Sequence, residues 1–218
     1  MKQTLIVLAF AALMAAGAGS CKSEEGPKTF CDTTCLKDSI KFTSNSKLHP
    51  YVYISAKNCL PDSLVWSYSG MGVNRKTGFT YLFGATVNLN KDYIRCVIND
   101  TSYAWLLFND CSTGRGFQLK LPYDKNQNFS IKTSGINNLD PKFSIDSSLV
   151  VNTDRGNLYV EDLMTGKKAM MTFGQKLDID YDAMHEYIDS VHITPQKIWA
   201  RVKIDKAWKD LEKTIELK

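Results

Sequence analysis

The sequence predicts an all-β body: an antiparallel meander, built either as a small, degenerate propeller or as a sandwich, with a short C-terminal helix and hairpin. Three observations predict it. Between residues 38 and 175, short runs rich in aromatic and β-branched residues follow one another, separated by clusters of Gly, Pro, Asn and Asp. No stretch there carries helical periodicity of useful length. The pattern Asp-x-x-Thr-Gly-[Arg/Lys] closes an apolar run twice, at Asp110–Arg115 and at Asp162–Lys167.

The runs read as strands are Ser39–Thr43, Tyr51–Ser55, Leu64–Ser69, Gly78–Phe83, Tyr93–Ile98, Tyr103–Phe108, Gly116–Leu121, Ser148–Thr153, Asn157–Leu163 and Lys167–Phe173. Asn99-Asp100-Thr101-Ser102, between two of them, reads as a hairpin turn. The repeated Asp-x-x-Thr-Gly pattern has a physical reading as a hairpin. An Asp hydrogen-bonds the turn backbone, and a Gly takes positive φ before the return strand. Asn74–Gly78 reads as a variant of the same turn.

Beyond residue 175 the pattern changes. Asp182–Ile188 reads as a short helix. Ile198–Ile204 alternates apolar and polar residues, as a half-buried strand does. A hairpin is expected from Ile198 onward, with Trp208 covering the core.

Composition bounds the function. With 218 residues, 44% of them hydrophobic, the chain can bury a sizeable core, and 11% aromatic content excludes an intrinsically disordered polymer. A net charge of +4, scattered along the chain, does not suggest nucleic-acid binding.

The N-terminus carries an address. After Met1-Lys2-Gln3-Thr4 comes an unbroken apolar run, Leu5–Ala16. It is too short to span a bilayer, which takes roughly 20 residues, and it fits a secretory h-region. Gly17-Ala18-Gly19-Ser20 and then Cys21 follow. Ala18-Gly19-Ser20-Cys21 resembles the lipobox of bacterial lipoproteins, with Ala18 standing where a Leu often opens the motif. The resemblance implies that Cys21 is the lipidation site: its sulfur takes a diacylglycerol, the leader is removed, and the new amine is acylated. Two or more chains of that kind anchor a protein stably. Lys22-Ser23-Glu24-Glu25 is similar to the acidic export tag that some Gram-negative bacteria place after the lipidated cysteine. With no Asp at the second position, the implied place is the outer membrane, with surface exposure. The expected organisation is a signal peptide at 1–20, a lipidated tether at 21–37 and one β-rich domain at 38–218.

If Cys21 carries lipid, Cys31, Cys35, Cys59, Cys96 and Cys111 remain, an odd number. Export permits disulfides, so two bridges and one free thiol are the simplest outcome, with the pairing left open. Cys31 and Cys35 read as staples from the start of the domain to something later, Cys59 being one choice. Their C-x3-C spacing is not a redox C-x-x-C, and no second close pair supports a zinc site. Cys96 sits in an apolar strand pattern and reads equally as a buried free thiol.

Residues 140–167 run Asp140-Pro141-Lys142-Phe143-Ser144, then Asp146, then Leu149-Val150-Val151, then Asp154-Arg155-Gly156, then Tyr159, and close on Asp162-x-x-Thr165-Gly166-Lys167. This segment resembles one blade of the WD40-like repeat of TolB-family β-propellers. Ser147 replaces the glycine of the first turn, and the second turn is shortened.

Chemistry is sparse. Asp178, Asp180 and Asp182 alternate and form a weak candidate cation site, because a hard cation wants several oxygens. Ala183 stands where a calcium loop turns on Gly, so the competing reading is a strand with its acids in water. Any histidine mechanism must use His49, His185 or His192, and no nucleophile elbow, His-Glu-x-x-His or phosphate loop accompanies them. His192 reads as a core residue. No cofactor is implied. Tyr51, Tyr53, Trp66, Tyr68, Tyr81, Tyr103, Trp105, Trp199 and Trp208 offer either plain core or a saccharide platform. Tyr68–Gly78 reads as a long turn or as a loop near a ligand. The expected function is a membrane-anchored, non-catalytic binding or scaffolding module with a protein or glycan partner. The alternative is a small exported hydrolase.

Overall fold

Strands follow one another along almost the whole described chain because most segments alternate apolar with polar residues and are cut by turn formers. The computed structural model describes residues 31, 35–154, 156–174 and 184–218. One four-stranded sheet holds β1 (Ile40–Thr43), β2 (Tyr51–Lys57), β3 (Leu60–Ser67) and β4 (Arg75–Gly78) in that order. A seven-stranded sheet runs β5 (Ile94–Asn99), β6 (Tyr103–Asn109), β7 (Gly116–Pro122), β8 (Ser130–Ile136), β10 (Leu149–Asp154), β11 (Asn157–Asp162) and β12 (Lys168–Thr172). The third sheet is ordered β9 (Phe143–Ile145), β13 (Ile188–Thr194), β14 (Lys197–Ile204) and β15 (Ala207–Thr214). Pairing is antiparallel apart from β9 with β13, a parallel pair that departs from the expected antiparallel meander.

Three apolar clusters show how these sheets stack. Val52, Ile54, Leu64 and Trp66 of β2 and β3 meet Ala104, Leu106, Phe108, Phe117, Leu119 and Leu121 of β6 and β7. The opposite face of β6 presents Trp105 and Leu107 to Val150 of β10 and to Leu163. The other side of β10 and β11, with Val151, Leu158 and Val160, packs on Val191, Ile193, Ile198 and Val202 of the third sheet. Strands whose two faces are both covered read as buried runs, as β6 and β7 do. The seven-stranded sheet therefore bends into two layers, and the fold is four β layers deep. The layers do not close into a ring or barrel.

The bend lies where β8 meets β10 over only two residue pairs, Val151 with Ile136 and Asn152 with Gly135. Gly116 and Gly135 lie against each other there: a Cβ on Gly116 would stand 2.0 Å from the Gly135 oxygen. A buried amide network fills the seam. Asn137 Nδ2 donates to Phe108 O (2.9 Å) and Asn109 Oδ1 (3.0 Å), while Gln118 Nε2 donates to Asn137 Oδ1 (2.8 Å) and Val151 O (2.7 Å). Lys120, lying between the two layers, meets Glu161 at 2.8 Å and stands 4.5 Å from the centre of the Tyr103 ring.

The repeated sequence pattern is a repeated turn. Asp110 Oδ2 accepts from the Thr113 amide (3.1 Å) and hydroxyl (2.6 Å), and Gly114, at φ 76°, donates its N–H to Asp110 O. Asp162 Oδ1 accepts from the Thr165 amide (2.7 Å) and hydroxyl (2.8 Å), and Gly166, at φ 72°, donates to Asp162 O. The backbone N–H of Thr165 holds the Asp162 carboxyl below its usual range. Asn74–Gly78 is not a third copy: Arg75–Gly78 is strand β4, and Gly78 is extended at φ −90°.

Several other expectations are corrected. Gly78–Phe83 is not a strand; Phe79–Phe83 forms helix α1. The rings of its i, i+4 pair Phe79 and Phe83 lie 5.7 Å apart, tilted by 44°, and pack on Phe108, and Gly84 ends it in the left-handed region at φ 64°. Among the described residues the C-terminal helix α2 covers Met184–Tyr187, and Ile188 already belongs to β13; residues 182 and 183 lie outside the described residues. The β14–β15 hairpin forms, but Trp208 does not cover the core. Its partner across the ladder is Lys203, on the solvent side, and it stays 43% exposed; Leu211 does the packing instead. Residues 31 and 35–37 are not free tether: Cys31 and Leu36 are buried, and both cysteines of that segment are bridged to the body.

Candidate functional site

The alternation of β14 decides what the third sheet shows to solvent. Ile198, Ala200, Val202 and Ile204 point into the core, so Lys197, Trp199, Arg201 and Lys203 point out. Register then builds rows across the sheet. Ser144, His192, Trp199 and Glu212 form one row, Ser190, Arg201 and Asp210 the next, and Lys203 with Trp208 a third. Lys197 meets Glu212 at 2.9 Å and Arg201 meets Asp210 at 3.9 Å, all four being largely solvated. Lys203 lies 5.9 Å from the centre of the Trp208 ring. Trp199 and Trp208 stand four residues apart along the ladder and on adjacent strands, which places their Cα atoms about 14 Å apart. The result is an open sheet face with two indoles separated by charged groups that can both donate and accept hydrogen bonds.

His192 belongs to this face and not to the core. The parallel pairing of β9 with β13 brings Ser144, from a distant part of the sequence, opposite it, with Nδ1 and Ser144 Oγ 3.1 Å apart. Among the described residues no carboxylate hydrogen-bonds His192, and the pair lies on an exposed surface instead of in a cleft. His49 is an exposed loop residue at φ 46°. The backbone of His185 lies in α2.

The aromatic residues divide into three groups. Trp66 is core, its Nε1 donating to Pro122 O at 2.8 Å. Trp105 is interlayer core, and Tyr103 donates to Leu163 O at 2.7 Å. Tyr51, Tyr53 and Tyr68 are half-buried, whereas Tyr81 is exposed on α1 away from its packed side. Tyr51 and Tyr53 share the outer face of β2, and Trp199 and Trp208, the two indoles off the core, share the open face of β14 and β15. The Tyr68–Gly78 segment is pinned by buried Met71, whose sulfur accepts from Ser67 Oγ.

The cysteines form two bridges, Cys31–Cys111 and Cys35–Cys59. Cys96 is free, half-buried against the first core, and burial pushes its thiol up to about 12. Cys21 and the candidate cation residues Asp178, Asp180 and Asp182 lie outside the described residues. Among the described residues, no group of His, Cys, Asp and Glu gathers that could hold a metal ion. No protein-family model matches the chain, and no curated protein matches it in sequence.

Proposed function

We propose that the chain is an exported lipoprotein, held in the outer membrane through acylated Cys21, whose β-layered body binds a saccharide chain on the open face of β13–β15. The observation that carries the binding reading is the pair Trp199 and Trp208 on one solvated face. Indoles stack on the apolar faces of sugar rings, and the flanking Lys197–Glu212 and Arg201–Asp210 pairs supply donors and acceptors for hydroxyls. Two bridges in the body support an oxidising compartment. The leader and Ala18-Gly19-Ser20-Cys21 support the anchor.

Two measurements test this reading. Detergent partitioning and mass spectrometry of the membrane-expressed protein should find an acylated Cys21, and Cys21→Ala should release the protein to the aqueous phase. A glycan array should give a signal that Trp199→Ala and Trp208→Ala abolish; folded protein with no signal for any saccharide removes the platform.

The second reading is a small exported hydrolase, favoured by the contact of Ser144 with His192. A fluorophosphonate probe separates the two. Labelling of Ser144 that disappears in His192→Ala would establish the hydrolase, and an unlabelled protein leaves binding alone.

A further inference from the structure

Beside the first core, β1 and the loop leading into β5 leave a cleft of about 560 Å3. That volume is in the range of small-ligand sites. Its apolar side is made by Leu36, Ile40 and Leu89, two of them buried core residues. Lys37 and Lys91 line it together with one carboxylate, Asp38, so the lining is net cationic; Lys41 lies at its rim with its ammonium turned to the Tyr51 ring, 4.9 Å from the centre, on the outer face of β1. One wall contains Cys35, fixed by its bridge to Cys59, so this part of the cleft is built on a covalent staple. Cys31, the first residue bridged to the body, follows Cys21 by 10 positions, and chain of that length reaches at most about 35 Å. We propose that this cleft binds an anionic phospholipid, its phosphate at the lysines and its first acyl carbons on Leu36, Ile40 and Leu89.

Charge and shape both point to an amphiphile. A soluble phosphate needs the lysines and has no use for the apolar side. A neutral apolar ligand needs that side and gains nothing from the Lys37 and Lys91 ammonium groups. Only a molecule with an anionic head and an apolar stem uses both, and the lysine stems themselves extend the apolar wall. The membrane-anchored reading supplies the source of the lipid and nothing else. The site is separate from the open face of β13–β15.

The test uses the full chain carrying Cys21→Ala, so that no acyl group of its own competes. Titration calorimetry compares dihexanoylphosphatidylglycerol below its micelle concentration, dihexanoylphosphatidylcholine and glycerol 3-phosphate. The anionic lipid should bind about ten-fold tighter than either of the others, and Lys37→Gln/Lys91→Gln should remove that preference. Lys209→Gln, on β15, should leave it unchanged. Equal binding of the two lipids, glycerol 3-phosphate binding as tightly as the anionic lipid, or no binding at all would each overturn the proposal. Because the protein is unacylated here, a failed anchor shows only in mass spectrometry of the wild-type chain, and a failed cleft only in the titration.

Discussion

The two bridges differ in what they close, and the difference has a predictable size. Cys31–Cys111 spans a sequence separation of 80, and Cys35–Cys59 one of 24 nested inside it. Loop-closure entropy gives about 4.5 kcal/mol for the outer bridge taken alone and about 3.5 kcal/mol for the inner one at 25 °C. With the inner loop already closed the outer loop is effectively shorter, and its contribution falls to about 4.2 kcal/mol. Cys31 and Cys111 are also buried, so their removal leaves unfilled volume, whereas Cys59 is exposed. Urea denaturation at pH 7, followed by tryptophan fluorescence, should therefore find Cys31→Ala/Cys111→Ala less stable than Cys35→Ala/Cys59→Ala, and both well below wild type. Mild reductant should open Cys35–Cys59 first. The reasoning is refuted if the outer variant loses under about 1 kcal/mol. Cys31 would then leave the body at little expense, and the bridge would fasten only a strap.

Four further outcomes follow from the same structure. Gly116→Ala drives a methyl into the Gly135 carbonyl and should lower stability by about 3 kcal/mol in urea melts, since backbone stands on both sides of the clash. Trp199→Ala and Trp208→Ala should leave the melting temperature nearly unchanged while removing saccharide binding, because both rings lie on the solvent side of the ladder. The Cys96 thiol should resist Ellman's reagent at pH 8 until the protein unfolds. Its folded pKa is raised to about 12 from 9.0, so the unfolded chain releases the proton first as pH rises, and stability should fall from about pH 9 upward in wild type but less in Cys96→Ala. Asp162 runs the other way. The Thr165 amide holds its carboxyl below the ordinary 3.8, so the stability it lends is present above that value and lost as pH falls through the folded one; Asp162→Asn should flatten the acid limb of a stability profile.

Much of the fold was legible because alternation and turn chemistry are local. Ile198–Ile204 was readable from its own residues, and the Asp-x-x-Thr-Gly turns from the hydrogen bonds those side chains make with their own backbone. Where the outcome depended on a partner, the sequence was silent. β8 is Ser-Ile-Lys-Thr-Ser-Gly-Ile, with small and polar residues where β7 and the Gln118 amide press against it, so it lacks the usual strand signature. Phe79–Phe83 has residues that suit strand or helix alike; the usable signals were the i, i+4 phenylalanines and the Gly84 cap. The side on which Trp208 falls follows from the tight turn at Asp205 and Lys206, both at positive φ, which pairs Ile204 with Ala207. With no glycine or asparagine there, the turn gave no warning. Ser144 and His192 meet only through a parallel pairing, which nothing near either residue announces.

The open stack itself accounts for where binding surfaces can lie. Stacked sheets bury a face for every neighbour they have, at a spacing of about 10 Å, so the interior layers have no free face to offer. Both faces of β6 and β10 are spent on packing. Closure of the layers into a ring would bring the outer side of β1–β3, with Tyr51 and Tyr53, against the outer side of β13–β15, with Trp199 and Trp208, and would bury all four aromatics. Here residues 215–218 turn away, and Lys218 exchanges backbone hydrogen bonds with Lys168 at 2.8 and 3.0 Å. That pairing caps the first residue of the free edge of β12, where exposed strand groups would invite aggregation, and it leaves the face of β13–β15 uncovered. An uncovered face held only by solubility would carry charge and few rings. This one keeps two indoles among its charges, and that combination is the physical reason for assigning it a ligand.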